Sequence, residues 1–582
     1  MNPETKTCQN CKTSFIIEPD DFSFYEKMQV PPPTFCAECR LIRKLNWRSF
    51  RSLHRRNCGL CHKNLISMYS ATDPAPVYCM ECWNGDGWDP QSYAMEIDWS
   101  RPFLEQWFEL FQKVPRLYSY ANGTLVNSDY TNYTINNKDC YLSFSVIECE
   151  NVQYSEAIDK SKDCFDCLSV QELSQCSYNT DSKGNYNCHY LLRSQSCIDS
   201  FFLFDCVNSQ NCCLSSNLRN QQYVFKNQKL SKEEYFEAVK NLHLDTFSGI
   251  ERTKNEFFEI RKKAITKYAF ATNALSSTGD FMINVKNCTN TFDIYNCEDV
   301  KNSIRMLQSK DSRDCVGLLA GELEYEATAC SVNSSRVAFS HICLTSTDVR
   351  YSALSRGISD CLGCCGLKDS QYCILNKKYS KEEYKELIKK IEKQMNETPY
   401  ISKTGIIYKY GEYFPPDFCP FAYNECVGFD SFPLSKSQAV AVGFLWREKD
   451  KNDYVVTLLA SELPDSIGEV DDSILSETIQ CGNFDNEVPL CTQAFRVTLP
   501  ELSFLRQKNL PLPRFCPNCR HTDRVTLRNP YKLYRRKCMC DQNGHDHPSA
   551  DGAKCSNEFE TSYAPDRPEK VYCESCYQKE VL

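Results

Sequence analysis

Several features are missing from this 582-residue sequence, and each absence excludes a class of protein. No stretch approaches the roughly 18 consecutive apolar residues that a membrane-spanning helix needs. The first residues, from Met1 to Cys8, contain no apolar signal core, so we expect a cytoplasmic protein. The sequence also has no phosphate-binding loop and no dinucleotide-binding fingerprint.

Basic residues are fewer than acidic ones, whereas cysteine is abundant. The 67 lysines and arginines are outnumbered by 76 acidic residues, and the formal net charge is −9. This balance excludes a uniformly basic nucleic-acid binder but leaves room for local basic patches. The sequence has 38 cysteines. Disulfides are disfavoured in the cytoplasm, so we expect these cysteines to be metal ligands or small buried side chains.

The N-terminal cysteines come in four Cys-x-x-Cys pairs. Two pairs supply one tetrahedron of thiolates, which is the geometry of a structural zinc site. We therefore expect two zinc sites whose ligands are Cys8, Cys11, Cys36, Cys39, Cys58, Cys61, Cys79 and Cys82. Sequential pairing is the simplest arrangement, and a crossed brace uses the same ligands.

The C-terminus repeats this module, at a displacement of 480 residues and then, after an insertion, of 494 residues. Its expected ligands are Cys481, Cys491, Cys516, Cys519, Cys538, Cys555, Cys573 and Cys576. Val488 occupies the position that matches Cys8, so either Cys481 replaces that ligand through a longer loop or the site is incomplete. The two modules together predict about four structural zinc ions.

The insertion in the C-terminal module carries Cys540, His545 and His547. These residues are alternative zinc ligands or part of a further metal or catalytic site. A solvated loop with one exchanged ligand is the plainer interpretation.

A basic segment lies between the zinc pairs of each module. The candidate nucleic-acid contacts are Arg40, Lys44, Arg48, Arg55, Arg56, Arg520, Arg524, Arg528, Arg535 and Arg536. The spacing of four within each leading trio places its members on one helix face, and neighbouring aromatics suit base stacking. The alternative is a solvated face that pairs with acidic residues of the same protein.

The middle of the chain predicts a duplicated parallel β-solenoid. Residues 117–225 and 265–375 repeat short units of a polar pair, a cysteine and apolar residues, at a displacement of 148 or 149. Such units predict turns and short strands whose cysteines stack inward. Each arm ends in a capping box, Ser231 with Glu234 and Ser380 with Glu383, which predicts a helix after each arm.

Residues 401–480 contain fewer cysteines and predict a small α+β connector, with a buried strand at 438–446 and a helix at 467–479. The fold class that we predict is β-rich and multidomain. Its segments are a double zinc-ribbon module at 1–98, a docking helix at 99–116, solenoid arms with helices at 117–270 and 271–400, the connector at 401–480 and a second double zinc-ribbon module at 481–582.

Several motifs together resemble a family of uncharacterised zinc-ribbon proteins from candidate-phylum bacteria with small genomes. They include Phe35-Cys-x-x-Cys-Arg40, Asn137-Lys-Asp-Cys-Tyr-Leu142, Tyr410-Gly-Glu-Tyr-Phe-Pro415 and Val571-Tyr-Cys-Glu-Ser-Cys-Tyr577. The resemblance extends over nearly the whole chain and implies a cytoplasmic bacterial setting. It implies no activity and no functional residue.

The leading functional prediction is a non-enzymatic zinc-binding scaffold whose basic modules bind nucleic acid, with structured RNA as a candidate. The alternative is a protein-interaction scaffold or structural subunit without nucleic acid. A solenoid enzyme acting on glycans is a minor alternative, because it needs a carboxylate cluster that sequence cannot show. No membrane partner is expected, and the oligomeric state stays open.

Overall fold

The computed structural model describes residues 2–330, 332–448, 454–484, 488, 490–540 and 555–582. The chain divides into two compact units, and each unit combines segments from both halves of the sequence. Unit 1 contains Met1–Ser119, Ala269–Arg447 and Tyr531–Leu533. Unit 2 contains Tyr120–Tyr268, Glu448–Pro530 and Tyr534–Leu582. This division groups segments by contact, and the six segments drawn from the sequence stay predictions.

The described residues form twelve α-helices, most of them short. They are α1 Pro19–Met28, α2 Ala37–Leu45, α3 Met80–Asn84, α4 Phe103–Lys113, α5 Lys232–Lys240, α6 Phe247–Lys263, α7 Lys381–Glu397, α8 Val427–Ser431, α9 Lys436–Ala441, α10 Leu499–Lys508, α11 Pro517–Val525 and α12 Glu574–Val581. Among the described residues, none of these helices is long and apolar enough to cross a membrane.

Parallel strands dominate unit 2 between residues 121 and 225, which we name the first stack. Its strands are Ala121–Val126, Thr131–Lys138, Ser143–Ile147, Glu150–Gln153, Glu156–Asp159, Lys162–Phe165, Leu168–Gln171, Thr180–Lys183, Phe201–Phe204, Gln210–Ser216 and Gln222–Phe225. Almost every pairing joins residue i to residue i+12, as in Val146 with Ile158 and Ile158 with Val170.

Unit 1 contains the corresponding second stack, residues 271 to 374. Its strands are Ala271–Leu275, Gly279–Lys286, Thr291–Tyr295, Glu298–Lys301, Ile304–Leu307, Lys310–Arg313, Ser335–Ala338, His341–Leu344, Thr347–Arg350, Ala353–Arg356, Ser359–Leu362 and Gln371–Ile374. The same spacing of twelve joins Val349 to Cys361 and Cys361 to Cys373.

The local unit of both stacks is a triplet of residues. A left-handed residue with positive φ recurs at every third position, as at Asp139, Leu142, Ser145, Glu148 and Asn151. Two extended residues followed by one left-handed residue turn the chain, and four such triplets account for the spacing of twelve. Asn and Asp tolerate this conformation better than most residues, which explains the polar residue that so often precedes a cysteine.

The triplet repeat also decides which side chains face inward. Nine of the ten cysteines in the first stack are separated from one another by multiples of three: Cys140, Cys149, Cys164, Cys167, Cys176, Cys188, Cys197, Cys206 and Cys212. All nine are buried in one apolar core. Burial raises the pKa of Cys140 to about 11 and of Cys149 to about 12, so these thiols stay protonated and unreactive near neutral pH.

A helix follows each stack, as the two capping boxes predict. Ser231 and Glu234 form both reciprocal hydrogen bonds at the start of α5, and Ser380 and Glu383 do so at α7. Two minor predictions for the connector are wrong. Residues 436–441 form the helix α9 where we expected a strand, and 467–479 contains two short 3-10 helices, Ile467–Glu469 and Asp472–Ser476, in place of a longer helix.

Candidate metal centres and the basic segments

Two clusters of four cysteines lie in unit 1. The first contains Cys8, Cys11, Cys36 and Cys39, and the second contains Cys58, Cys61, Cys79 and Cys82. In both clusters the first pair lies in the turn of an antiparallel hairpin, and the second pair begins at the residue that precedes a helix, α2 or α3. The clusters therefore follow the sequential pairing rather than the crossed one.

Unit 2 contains two clusters of the same design. Cys481 joins Cys491, Cys516 and Cys519, and the last cluster contains Cys538, Cys555, Cys573 and Cys576. Cys481 thus takes the place expected of residue 488, where Val488 packs at the edge of the apolar core. Helices α11 and α12 begin directly after Cys516 and Cys573.

The sulfur separations fit a tetrahedral metal ion. A zinc ion with four Zn–S bonds of about 2.3 Å has S–S edges of about 3.8 Å. The Sγ–Sγ distance is 3.7 Å for Cys11–Cys36 and 3.8 Å for Cys61–Cys79. It is 3.8 Å for Cys481–Cys519, 4.0 Å for Cys491–Cys516 and 3.9 Å for Cys555–Cys573. All four sulfurs of each cluster lie within 4.8 Å of one another, so each cluster could hold one metal ion.

In each cluster the surroundings of at least one sulfur lower its pKa and favour the thiolate form that metal binding needs. At Cys58, burial raises the pKa, but backbone N–H groups including those of Cys61 and Cys79 prevail and lower it to about 6. At Cys573, burial is likewise outweighed by hydrogen bonds that include those of Asn557 and Ser575, and the pKa falls to about 6. A helix N-terminus beside each second pair acts in the same direction.

Of the three alternative ligands in the C-terminal insertion, only Cys540 belongs to the described residues. Cys540 is buried in the core around the fourth cluster, but it is not one of the four sulfurs that converge there. Its carbonyl oxygen accepts a hydrogen bond from the N–H of Cys555 at 3.2 Å. His545 and His547 lie outside the described residues.

In unit 1 the basic segment faces the second stack. Two N–O distances of 2.9 Å join Arg40 Nη2 to the carboxylate of Asp314, and Arg43 Nη2 lies 3.1 Å from Glu326. Lys44 is fully buried, with its Nζ 3.7 Å from Glu326. Arg48 inserts against Gly317, where a Cβ would lie only 1.7 Å from the arginine Nη1. These side chains brace the module against the stack.

Unit 2 repeats this arrangement with the first stack. Arg520 contacts Asp166 at 2.5 Å and Glu501 at 3.0 Å, and Arg524 contacts Asp166 at 2.6 Å. Arg528 pairs with Asp181 at 2.7 Å. Arg40 and Arg520 are 480 residues apart, and their partners Asp314 and Asp166 are 148 apart, so the two sequence repeats meet in one recurring contact.

The face of Arg40, Lys44 and Arg48 that we expected to contact phosphate is therefore directed inward, and so are Arg520 and Arg524. The physical reason is that the stacks supply buried carboxylates, and a buried charge must be paired. Both Arg56 and Arg536 donate to backbone carbonyls within their own modules. Arg55 and Arg535 remain exposed, and Arg535 pairs with Glu558 at 2.7 Å.

The sequence patterns did not identify the carboxylates that pair with these basic residues. Asp166, Asp314, Glu326 and Glu501 are buried and ion-paired, yet each looks like an ordinary turn or helix residue in the sequence. The available signal was the pair Asp166 and Asp314, because an aspartate recurs at the displacement of 148 that relates the two arms.

A comparison with protein-family models and a search of curated proteins gave no match to this chain.

Proposed function

We propose that the chain is a non-enzymatic scaffold that binds partner protein and is held together by four structural zinc ions. In this proposal each stack is a parallel β-solenoid that offers surface, and each cysteine-rich module stabilises it. Four thiolates leave no open coordination position, so the zinc would have a structural role and not a catalytic one.

The observation that carries the proposal is the inward direction of the basic segments. Arg40, Lys44, Arg520 and Arg524 are at most 4% exposed, and the arginines are engaged by carboxylates. Phosphate binding by these side chains would require each module to separate from its stack and leave buried acids unpaired. That step is costly, so the geometry favours internal bracing over nucleic-acid contact.

The outer surface of the second stack also supports a protein partner. Neighbouring rungs carry Ile283, Tyr295, Leu307 and Leu319 in one column, where Leu307 is 40% exposed. We name these four residues the apolar column. At a rung spacing of about 4.8 Å it is about 14 Å long.

The first stack provides an internal comparison for the apolar column. Its equivalent positions are Ile135, Ile147, Asp159 and Gln171, which become polar after two rungs. The column beside the apolar one contains lysines and glutamates that pair with each other, as Lys286 does with Glu298 at 2.7 Å. This face attracts neither polyanions nor polycations, and it suits an uncharged apolar protein surface.

Purification of the full chain at low salt tests the proposal. We expect about four zinc per chain and a stoichiometric protein that remains after nuclease treatment. The double change Leu307→Lys and Leu319→Lys should release that protein, whereas Gln171→Lys in the first stack should not. Retention of the partner by the double variant, or co-purification of nucleic acid alone, would contradict the proposal.

Nucleic-acid binding remains a second candidate in a narrower form. Arg55 is exposed, and Arg535 and Lys537 are 79% and 78% exposed beside Glu558. If these residues bind RNA, Arg55→Ala with Arg535→Ala should weaken binding and reduce its salt dependence by about two phosphate contacts. Fluorescence anisotropy at 50 and 200 mM salt measures both quantities, and salt-independent binding would exclude this role.

A further inference from the structure

The four cysteine clusters differ in the exposure of their sulfurs to solvent. All eight ligands of the two clusters in unit 2 are buried, and none of them is more than 8% exposed. In unit 1, by contrast, Cys11 and Cys61 are exposed. They are the only exposed residues among the 38 cysteines of the chain, all of which the structure describes. The proposed scaffold function makes no use of this difference.

Cys11 and Cys61 occupy the same place in their clusters. Each is the second ligand and lies in the turn of an antiparallel hairpin. Only two residues separate it from the preceding ligand, Cys8 or Cys58. So short a turn has no further residues that could fold over the second sulfur. The exposure therefore follows from the design of the hairpin, and it recurs in both clusters.

The matching ligands of unit 2 provide an internal control. They are Cys491 and Cys555, and both are 6% exposed. Nine residues separate Cys481 from Cys491, and sixteen residues separate Cys538 from Cys555. The second ligand is therefore exposed where the connection is short and buried where it is long.

Exposure decides which thiolates a dissolved disulfide can reach. The attacking thiolate must approach a sulfur of the disulfide directly, so the rate depends on access as well as on thiolate character. A buried thiolate reacts only after the structure around it opens. The cysteines of the two stacks are buried as well. In the folded chain, Cys11 and Cys61 are therefore the preferred points of attack.

A second thiolate lies close to each exposed one. The Sγ of Cys11 is 3.7 Å from that of Cys36, and the Sγ of Cys61 is 3.8 Å from that of Cys79. A mixed disulfide formed at either exposed residue thus has a neighbouring cysteine that can displace the small thiol from it.

We infer that Cys11 and Cys61 are modification sites for small disulfides, and that their modification releases the zinc of unit 1. The inference rests on the structural zinc of the proposed function. The Cys11 thiolate attacks one sulfur of the small disulfide, whose S–S bond breaks and releases one small thiolate. The Cys36 thiolate then attacks the Cys11 sulfur, which forms a Cys11–Cys36 disulfide and releases the second small thiolate.

The electrons of this exchange balance. Two cysteine thiolates lose one electron each, and the small disulfide gains both electrons as it becomes two thiolates. The zinc ion keeps only two of its four ligands and dissociates. The same sequence applies to Cys61 and Cys79.

The modification would act on the brace of unit 1 and spare that of unit 2. Helix α2 begins directly after Cys36 and carries Arg40, which pairs with Asp314 of the second stack. Loss of the first zinc removes the anchor at the start of this helix. The corresponding pair of unit 2, Arg520 with Asp166, lies beside a cluster whose sulfurs are all buried.

Treatment of the full-length, zinc-loaded protein with oxidised glutathione tests the inference. A chromogenic zinc indicator measures the release, and peptide mapping identifies the modified cysteines. We expect about two of about four zinc ions to leave in a first phase. This phase should be at least about tenfold faster than the second, because the buried clusters must open first. Modification during the first phase should lie at Cys11, Cys61 and their disulfide partners.

The outcomes separate this inference from the proposed function. A zinc-loaded chain that releases all its zinc at one rate, or that is modified first at Cys491 or Cys555, would overturn the inference alone. A chain that purifies without zinc would contradict the proposed structural zinc and this inference with it.

Histidine variants give a matched pair. Histidine binds zinc but forms no disulfide, so Cys11→His with Cys61→His should keep the zinc and lose the fast phase. Cys491→His with Cys555→His should keep the fast phase. The zinc content of each variant is measured before treatment. If the first variant does not hold its zinc, peptide mapping of the unchanged protein decides, and a fast phase that persists in the zinc-loaded first variant would overturn the inference.

Discussion

Glu324 provides the sharpest test of the packing inside the second stack. It occupies an inward position of the triplet repeat, is fully buried, and neither carboxyl oxygen has a hydrogen-bond partner among the described residues. Burial raises the pKa of this carboxyl well above its usual range. The equivalent inward residue of the first stack, 148 positions earlier, is Cys176. We predict that Glu324→Cys stabilises unit 1.

The magnitude follows from the protonation equilibrium. An unfolded glutamate has a pKa of about 4.3, so keeping the acid protonated at pH 7 costs about 3.7 kcal/mol. The smaller cysteine leaves a void whose cost is about 0.5–1 kcal/mol. The expected gain in the free energy of unfolding at pH 7 is therefore about 3 kcal/mol.

The sign of the pH dependence is also determined. Because the folded pKa of Glu324 is raised, its stabilising contribution is complete below the unfolded pKa and declines as pH rises toward the folded pKa. Between pH 5 and 7 the native protein should lose about 1.4 kcal/mol per pH unit relative to the Glu324→Cys variant.

Tryptophan fluorescence during urea unfolding measures this effect in unit 1 alone. All six tryptophans lie in segments of unit 1: Trp47, Trp83, Trp88, Trp99, Trp107 and Trp446. Glu324→Gln is the control, since it keeps the size of the side chain and removes its titration. If neither variant reduces the difference between pH 5 and pH 7, the burial argument is refuted.

Three further predictions concern the braces, the metal and acid stability. Arg40→Ala leaves Asp314 buried and unpaired, so it should lower the free energy of unfolding of unit 1 by about 3–5 kcal/mol, as measured by urea unfolding. The control Arg55→Ala should change this free energy by less than about 0.5 kcal/mol. Removal of zinc with a strong chelator should unfold the modules, and circular dichroism measures this loss of structure. A spectrum that the chelator does not change would contradict a structural role for the metal. Burial lowers the pKa of His341 to about 3, so its contribution is complete above about pH 6.5 and declines as pH falls. At pH 5, His341→Phe should recover about 2 kcal/mol, and an unchanged acid midpoint would count against this cause.

The sequence predicts the four-cysteine clusters well because their signal is local. A Cys-x-x-Cys pair specifies a turn by itself. The module repeat shows that a ligand is missing at Val488 and leaves Cys481 as a candidate replacement, and the structure places Cys481 in that cluster. The stacks were predicted as repeated short strands, but the period of three was overlooked. Spacings between cysteines that are all multiples of three were the available signal, since an inward residue recurs once per triplet.

The direction of the basic residues could not be predicted because it depends on distant partners. Arg40 and Asp314 are separated by 274 residues, and nothing near either residue identifies the other. A helix face of arginines looks the same in sequence whether it meets solvent, phosphate or buried carboxylates. Only the packing of a module on a stack distinguishes these cases.

The cysteine clusters and the ion pairs form one connected support. Helix α2 begins directly after the ligand Cys36, and Arg40 and Lys44 lie one and two turns further along the same helix. A metal ion that orients Cys36 and Cys39 therefore also orients the charges that pair with Asp314 and Glu326. Loss of the metal would leave the start of the helix without its anchor. Arg40 and Lys44 would then be less precisely positioned against buried carboxylates, and a poorly aligned buried ion pair is costly. The stability of the second stack should consequently depend on the metal ion bound in the neighbouring module. Such a dependence is expected if the module supports the stack, and it is not expected if the module is an independent nucleic-acid-binding domain.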